Sequence, residues 1–161
     1  MKKIKKLGLG GGCHWCTEAV FQSVPGVAQV SQGYISSLPP NQSKSEAILI
    51  DLEDDVDIEL LIDVHLQTHS SQYNHSRRDN YRSAIYYVDA KDKIILEDVV
   101  STLSRKRNQQ YVTQILAFHE FEASRIEIQN YYQSRPEAPF CQRYIQPKLE
   151  RVSSILRWHE V

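Results

Sequence analysis

Short runs in which apolar and polar positions alternate are spread along the chain, and stretches with helical spacing lie between them. Alternation of apolar and polar residues predicts strands, whereas apolar residues three and four positions apart predict helices. The predicted strands are Ile4–Leu9, Val27–Ile35, Glu46–Leu52, Tyr81–Val88 and Tyr111–Phe118. The predicted helices are Cys13–Ser23, a helix capped by Asp57 that carries Ile58, Leu61, Ile62 and His65 on one face, Lys91–Asn108, Arg125–Gln133 and Lys148–Trp158.

Turn residues and polar loops separate these elements. Val24-Pro25-Gly26 ends the first helix, and Ser36–Ser45 and His69–Asn80 are polar loops. Some connections between strands are too short for the crossover that parallel neighbours need. The order of elements therefore predicts one α+β domain over residues 1–161, with a mixed or antiparallel sheet and helices packed on it.

Composition narrows the classes of function. The 161 residues are 41% hydrophobic and 24% charged, with a formal net charge of −1. No overall basic charge indicates nucleic acid or an acidic membrane as a partner, and no apolar stretch approaches the roughly 20 residues of a membrane span. Three cysteines do not form a disulfide scaffold, and the chain begins without an apolar leader. These features favour a cytoplasmic protein whose thiols do chemistry.

The most informative segment is residues 8–18, which read Gly-Leu-Gly-Gly-Gly-Cys-His-Trp-Cys-Thr-Glu. A glycine run leads to Cys13 at the predicted start of a helix, where backbone donors lower the pKa of a thiol. Glycines let other groups approach the sulfur closely. Cys16 follows three residues later, so the pair is a candidate nucleophile with its own resolving thiol.

Three other interpretations of these cysteines stand beside this one. Free cysteine is often a buried packing residue. Cys13, His14 and Cys16 have side chains that bind zinc, but a structural site needs further ligands and only Cys141 or a scattered histidine remains. A dithiol of the thioredoxin type also lies where a strand leads into a helix, although the glycine run and the intervening Trp15 are not its usual form.

The segment from Gly10 to Phe21 resembles the active-site segment of the A-type peptide methionine sulfoxide reductases, in which Gly-Gly-Cys-Phe-Trp is followed by a glutamate. Further segments match the same family in order along nearly the whole chain. They are Val24-Pro25-Gly26-Val27, Gly33-Tyr34, Tyr81-Arg82-Ser83-Ala84-Ile85-Tyr86, Asn130-Tyr131-Tyr132, Pro136-Glu137-Ala138-Pro139-Phe140-Cys141-Gln142 and Ile145-Gln146-Pro147-Lys148-Leu149.

The resemblance implies a fold with a ferredoxin-like core and a specific reaction. Cys13 would attack the sulfur of methionine-S-sulfoxide, free or in peptides, and become a sulfenic acid that Cys16 resolves to a disulfide. Thioredoxin or a similar external dithiol would then reduce the disulfide, with no bound cofactor or metal. Glu46 matches the family's acid, and Tyr81 matches a tyrosine that donates to the sulfoxide oxygen. An acid that carries its proton near neutral pH needs a dry site, and Glu46 opens the most apolar strand.

The resemblance also implies substrate contacts from four further residues. Trp15 would form a wall of the pocket that holds the substrate methyl group, because sulfur beside an aromatic ring is a favourable contact. His14 stands at the adjacent wall position, Tyr34 belongs to the matched Gly-Tyr pair, and Asp79 is the nearest candidate for a family aspartate.

The chain also departs from the family pattern. His14 replaces the usual phenylalanine, which puts a titratable ring in an apolar wall. The segments before Glu46 and before Tyr81 are shorter than usual, and a second oxygen-binding tyrosine has no counterpart. Ala123–Gln129 lacks an expected acid and histidine. Loss of hydrogen bonds made only in the transition state predicts reduction that is slower by a factor on the order of 100.

Two other functions remain open on these residues. A redox-responsive binding module would use the Cys13–Cys16 pair to bind an oxidised partner without turnover. A general disulfide oxidoreductase would exchange thiols faster than it reduces sulfoxides. Nothing in the sequence demands more than a monomer, and Cys141 is either a second recycling thiol or a packed structural residue.

Overall fold

The computed structural model describes residues 3–73 and 80–160, which form helices packed on a six-stranded sheet. The strands run in the order β5-β4-β1-β3-β2-β6, and every pair is antiparallel except the parallel pair β4 and β5. Their bounds are β1 Lys6–Gly10, β2 Val27–Ser36, β3 Ser45–Leu52, β4 Ala84–Tyr87, β5 Gln114–Ala117 and β6 Glu120–Ala123. The predicted α+β class with a mixed sheet is confirmed.

Four of the five predicted helices start and end near their predicted positions. The helices of the structure are α1 His14–Gln22, α2 Ile58–Gln67, α3 Asp92–Arg107, α4 Tyr131–Ser134 and α5 Gln146–His159, with a 3-10 turn at Ile126–Ile128 and a π turn at Cys141–Ile145. Asp57 caps α2 as predicted, since its carboxylate accepts a hydrogen bond from the Leu60 N–H at 3.1 Å. Within residues 3–73 and 80–160, no helix has both the length and the apolar character needed to cross a membrane.

The main hydrophobic core lies between one face of the sheet and the helices. Leu7 and Leu9 of β1 are fully buried on this face together with Ile48, Ile50 and Ile85 of the neighbouring strands. Gly8 faces the opposite side, where a Cβ atom would lie 2.6 Å from Ile35 Cδ1. The alternation along β1 therefore fixes which side of the sheet carries the core, and it places Gly10 at the end of the central strand.

The buried carboxylate of Asp63 connects α2 with α3 and α5. Asp63 of α2 has no exposed surface and accepts two hydrogen bonds from Arg107, at 2.7 and 2.6 Å. His159 of α5 also contacts this carboxylate, with Nε2 2.8 Å from Oδ2. The bidentate geometry fixes α3 and α5 against α2, which holds α5 beside the start of α1.

The segment between residues 120 and 134 differs from the prediction. Glu120–Ala123 forms an edge strand that pairs with β2, although its charges and shortness gave only a weak strand pattern. The predicted helix Arg125–Gln133 is wrong. Asn130 has a φ of 55°, and its N–H donates to Glu18 Oε2 at 3.0 Å, so the chain turns there instead of continuing as a helix.

Candidate active site

The glycine segment after β1 turns the chain from the sheet into α1. Strand β1 ends at Gly10, and residues 11–12 carry the backbone to Cys13, whose carbonyl accepts the N–H groups of Cys16 and Thr17 at 3.1 Å. A Cβ atom on Gly11 would lie 2.3 Å from the ring of His69, which packs directly over the turn. Glycine is therefore required at this position by the close approach of that ring.

Cys13 carries an activated thiol. The Cys16 thiol donates a hydrogen bond to the Cys13 sulfur, and this bond is the main reason that the pKa of Cys13 is lowered to about 7. Burial opposes the shift, the backbone N–H groups of Trp15 and Cys16 add to it, and the charge of Glu46 works against it. The same hydrogen bond, followed by burial, raises the pKa of Cys16. Cys13 is therefore the nucleophile of the pair and Cys16 is the protonated partner.

Alkylation of Cys13 by iodoacetamide should follow a titration midpoint near pH 7, because the thiolate is the reacting form. In Cys16→Ala the midpoint should rise by at least about one pH unit, because the donor is lost. Cys16→Ser keeps a hydroxyl donor and is the matched control, which should stay close to the wild-type midpoint. Mass spectrometry of the labelled peptide gives the rate at each pH. Equal midpoints in the alanine and serine variants would contradict the role of the Cys16 hydrogen bond.

Glu46 lies beside the first turn of α1. Its Oε1 accepts the His14 N–H at 3.0 Å, and its charge acts on the Cys13 sulfur. The antiparallel register of β2 and β3 sets Tyr34 directly opposite Glu46, and the Tyr34 and His14 rings meet edge to face at 5.2 Å. The structure thus brings together four residues that the sequence predicted for the site.

Tyr81 lies on the other side of β1 from Glu46. Beyond the end of β1, the start of β3 and the segment that leads into β4 form a direct hydrogen bond. The Glu46 N–H donates to the Asn80 carbonyl at 2.9 Å. Tyr81 follows and lines an open cleft of about 460 Å³ together with Cys13. Asp79, the remaining predicted contact, lies outside the described residues.

Two cations from α5 line the same cleft. Lys148 and Arg151 line it together with Cys13, and the charge of Lys148 acts on the buried Cys16 thiol. Sequence reasoning placed Lys148 only within a matched family segment and did not assign Arg151 to the site. Their position depends on how α5 packs against α1, which no local pattern reveals.

Trp15 points away from this cleft. Its ring stacks on Tyr131 with centroids 4.3 Å apart and meets Phe140 edge to face at 5.2 Å. The cleft-lining residues do not include Trp15. If Trp15 forms a wall for the substrate methyl group, that wall lies beside Tyr131 and Phe140. The role of Trp15 in substrate binding stays a prediction. Cys141 is fully buried in the cluster that also contains Cys16, and burial raises its pKa.

Sequence reasoning also missed Arg82 as an anchor of the site. This buried guanidinium donates to the Ile35 carbonyl at 3.1 Å, to the Ser43 carbonyl at 2.9 Å and to the Tyr86 hydroxyl at 3.0 Å. The backbone N–H of Arg82 donates to Ser45 Oγ at 2.7 Å. Arg82 thereby fixes the loop that leads into Glu46 against the segment that carries Tyr81.

His65 forms a hydrogen bond with the residue at which β1 ends. Its ionisation should also make the free energy of unfolding depend on pH. Its Nε2–H donates to the Gly10 carbonyl at 2.8 Å, and burial lowers its pKa from 6.5 to about 4. Below pH 6.5 the unfolded chain binds a proton that the folded chain does not bind. The free energy of unfolding should therefore fall by about 3 kcal/mol between pH 6.5 and pH 4.

Urea unfolding across this pH range measures the effect, with His65→Gln as the control that keeps an N–H donor without a titratable ring. The control should lose less stability than the wild type over the same interval. An equal loss in both proteins would assign the acid sensitivity to other groups.

The zinc interpretation of the cysteines concerns the side chains of Cys13, His14 and Cys16. Among the described residues, no group of three histidine, cysteine, aspartate or glutamate side chains is arranged to hold a metal ion. Cys13 and Cys16 interact with each other through a hydrogen bond, and the His14 ring is turned toward Gly33 and Glu46. The three side chains therefore do not converge on one point.

Comparisons with known protein sequences identify the family. The sequence profile of the family described as peptide methionine sulfoxide reductase matches residues 5–159. The peptide methionine sulfoxide reductase MsrA of a Psychrobacter strain is 32% identical over 161 residues, which cover 89% of this chain and 91% of the relative.

Solved structures share the fold. Mxr1 from Saccharomyces cerevisiae in reduced form superposes with a TM-score of 0.71 at 19% identity, over 85% of this chain and 88% of Mxr1. The same yeast protein in complex with Trx2 superposes with a TM-score of 0.59 at 18% identity, over 81% of this chain and 90% of that one. With the profile match over nearly its whole length, the chain belongs to the peptide methionine sulfoxide reductase family and is an enzyme that reduces methionine sulfoxide.

Proposed function

We propose that this enzyme reduces methionine-S-sulfoxide with Cys13 as the nucleophile, Cys16 as the resolving thiol, and Glu46 and Tyr81 as the groups that act on the sulfoxide oxygen. The observation that carries the proposal is the lowered pKa of Cys13, which places a thiolate at the mouth of a cleft at neutral pH. Tyr81 lines the cleft together with Cys13, and Glu46 accepts the N–H of the next residue, His14.

The chemistry balances with these groups alone. The Cys13 thiolate attacks the sulfoxide sulfur while the oxygen gains a proton, and the oxygen then moves to Cys13 as its bond to the substrate breaks. The substrate sulfur is reduced to the thioether, and Cys13 is oxidised to a sulfenic acid. The Cys16 thiol attacks the sulfenic sulfur, a disulfide forms and the oxygen leaves as water. Hydrogen-bond donors such as the Tyr81 hydroxyl stabilise the negative charge that develops on the sulfoxide oxygen.

The disulfide requires an external dithiol for the next turnover. The yeast relative has been solved with Trx2, and we extend that partnership to this chain by proposing a thioredoxin-like reductant. The three cysteines of the chain are free thiols, which fits a reducing compartment, and we place the enzyme in the cytoplasm. We further propose that it acts as a monomer of one domain, without a bound cofactor and without nucleic acid or membrane as a partner.

The substrate enters a cleft whose rim carries two cations. Lys148 and Arg151 line the same cleft as Cys13, so a substrate carboxylate that enters the cleft would find favourable charge there. Free methionine sulfoxide has such a group in its α-carboxylate, and peptides provide it as aspartate or glutamate. Both substrate forms are therefore compatible with the charge of the cleft.

Turnover of the separated S and R epimers with dithiothreitol tests the proposal. We expect reduction of the S epimer, in free methionine sulfoxide and in a short peptide, and at least about tenfold slower reduction of the R epimer. Methionine released per enzyme is measured by chromatography. Equal rates on both epimers would overturn the stereochemical assignment, and absence of reduction in both would overturn the proposed function.

A further inference from the structure

The ring of His14 is fixed by a hydrogen bond that sets its tautomer. Nδ1 lies 2.8 Å from the Gly33 carbonyl oxygen, and both groups are buried. A carbonyl oxygen only accepts hydrogen bonds, so Nδ1 carries the hydrogen. In the neutral ring the lone pair is therefore on Nε2, at the opposite edge.

That opposite edge faces Glu46. Nε2 lies 3.5 Å from Glu46 Oε1, and the two side chains are 5% and 21% exposed. Oε1 also accepts the His14 N–H at 3.0 Å, which fixes the carboxyl group relative to the ring. A lone pair and an ionised carboxylate at this distance repel each other, whereas one added proton makes the contact favourable. The proton gives either an imidazolium beside a carboxylate or an imidazole beside a carboxylic acid.

We propose that His14 and Glu46 jointly hold the single proton that the sulfoxide oxygen receives. Glu46 is the group that delivers it, and His14 is a positioning residue that stores it and returns it to Glu46. The inference rests on the proposed function, in which Glu46 is the acid. A phenylalanine, the residue that the family pattern has at this position, has no nitrogen with which to hold a proton.

Other titratable groups surround this pair. The centroid of the Tyr34 ring in β2 lies 5.2 Å from that of the His14 ring. Cys13 immediately precedes His14 in the chain. Glu18 lies one turn further along α1, but Gln32 donates to its Oε1 and the Asn130 N–H donates to its Oε2. Glu18 therefore has partners of its own, which leaves Glu46 as the carboxyl group that contacts the ring.

The stored proton also fits the charge balance of the reaction. Before attack the site contains the Cys13 thiolate and one proton shared by His14 and Glu46. During attack this proton moves to the sulfoxide oxygen, which becomes the hydroxyl group of the sulfenic acid on Cys13. The pair is left with a lone pair facing a carboxylate and takes a proton from water before the next turnover. The charge of Glu46, which opposes thiolate formation at Cys13, is offset while the pair holds its proton.

Two variants separate proton storage from packing. His14→Asn keeps an N–H donor in place of Nδ1 for the Gly33 carbonyl and removes Nε2. His14→Gln keeps an N–H donor in place of Nε2 toward Glu46 but does not titrate. Thermal unfolding of both variants checks that the fold persists.

The first measurement is the rate of the first turnover without reductant, from about pH 5.5 to pH 9. We expect both variants to lose roughly tenfold or more at alkaline pH, where a stored proton matters most, and less at acid pH, where solvent supplies it. Cys13 alkylation, measured in parallel, separates this effect from a change in the thiolate. A ratio of variant to wild-type rate that is constant across the range would overturn the proposal, because a packing defect has that signature.

The second measurement is nitrogen NMR of the histidine rings, which does not depend on activity. We expect His14 Nδ1 to stay protonated throughout, and the pH at which the Nε2 signal changes to move down in Glu46→Gln. An Nε2 signal that is insensitive to Glu46→Gln would overturn the shared proton. A wild type inactive on both epimers would instead overturn the proposed function, whereas an active wild type with a pH-independent loss in His14→Asn would overturn this inference alone.

Discussion

Cys13→Ser should abolish reduction of methionine-S-sulfoxide, with a loss of at least roughly a thousandfold in turnover. The reason lies in the ionisation of the nucleophile. With a pKa of about 7, roughly half of the Cys13 thiol is thiolate at neutral pH. A serine hydroxyl at the same place stays protonated, and it has no sulfur that could accept the oxygen as a sulfenic acid.

The matched control for this variant is Cys141→Ser. Cys141 is fully buried in the cluster next to Cys16, and no described contact places it in the cleft. With dithiothreitol as reductant it should retain turnover within a few-fold of the wild type. Dimedone, which traps sulfenic acids, should label Cys13 after exposure to substrate in Cys16→Ala, where no disulfide forms with Cys16, but should not label Cys13→Ser. Substantial turnover in Cys13→Ser would remove Cys13 from the role of nucleophile.

The site could be predicted from sequence to the extent that its residues are close along the chain. Gly11, Cys13 and Cys16 lie on one turn, and the start of a helix after a glycine run already indicates an activated thiol. Local spacing was enough to pair Cys16 with Cys13, but the sequence pattern indicated backbone donors as the cause of the lowered pKa, whereas the Cys16 hydrogen bond is its main cause.

Long-range parts of the site depended on the family resemblance. Glu46 and Tyr81 come to the Cys13 end of β1 because β1 ends at Gly10 and the segments on its two sides meet beyond that end. Without the resemblance, Glu46 would pass for an ordinary glutamate at a strand end. Arg82 stood only within a matched family segment and Arg151 had no signal, since the roles of both follow from how loops and helices pack.

The fold was predicted best where one face of an element is buried. Strand β3 and helix α2 are recognisable because their apolar residues face a single core. The segment Arg125–Gln133 had a helical pattern but became a turn, because Glu18 captures the Asn130 N–H across 112 residues. Such a tertiary hydrogen bond overrides local preference and is invisible to a pattern of apolar positions.

Cys16→Ala should separate the two halves of the reaction. Turnover with a thioredoxin system should fall at least about a hundredfold, because the sulfenic acid on Cys13 has no partner on the same turn with which to form the disulfide. The first turnover should survive and release about one methionine per enzyme. Its rate at neutral pH should fall several-fold, because the variant also lacks the donor that stabilises the Cys13 thiolate.

The choice of reductant and of a second variant identifies the resolving thiol. Dithiothreitol reacts with a sulfenic acid directly, so it should restore turnover in Cys16→Ala where thioredoxin does not. If Cys141 resolved Cys13 instead, Cys16→Ala would keep thioredoxin-dependent turnover and Cys141→Ser would lose it. Geometry argues against that route, because Cys16 follows Cys13 by three positions on the same turn, whereas among the described residues no hydrogen bond joins the buried Cys141 to the Cys13 sulfur. Cys16, whose thiol already donates to the Cys13 sulfur, needs only to lose that proton to attack the oxidised partner.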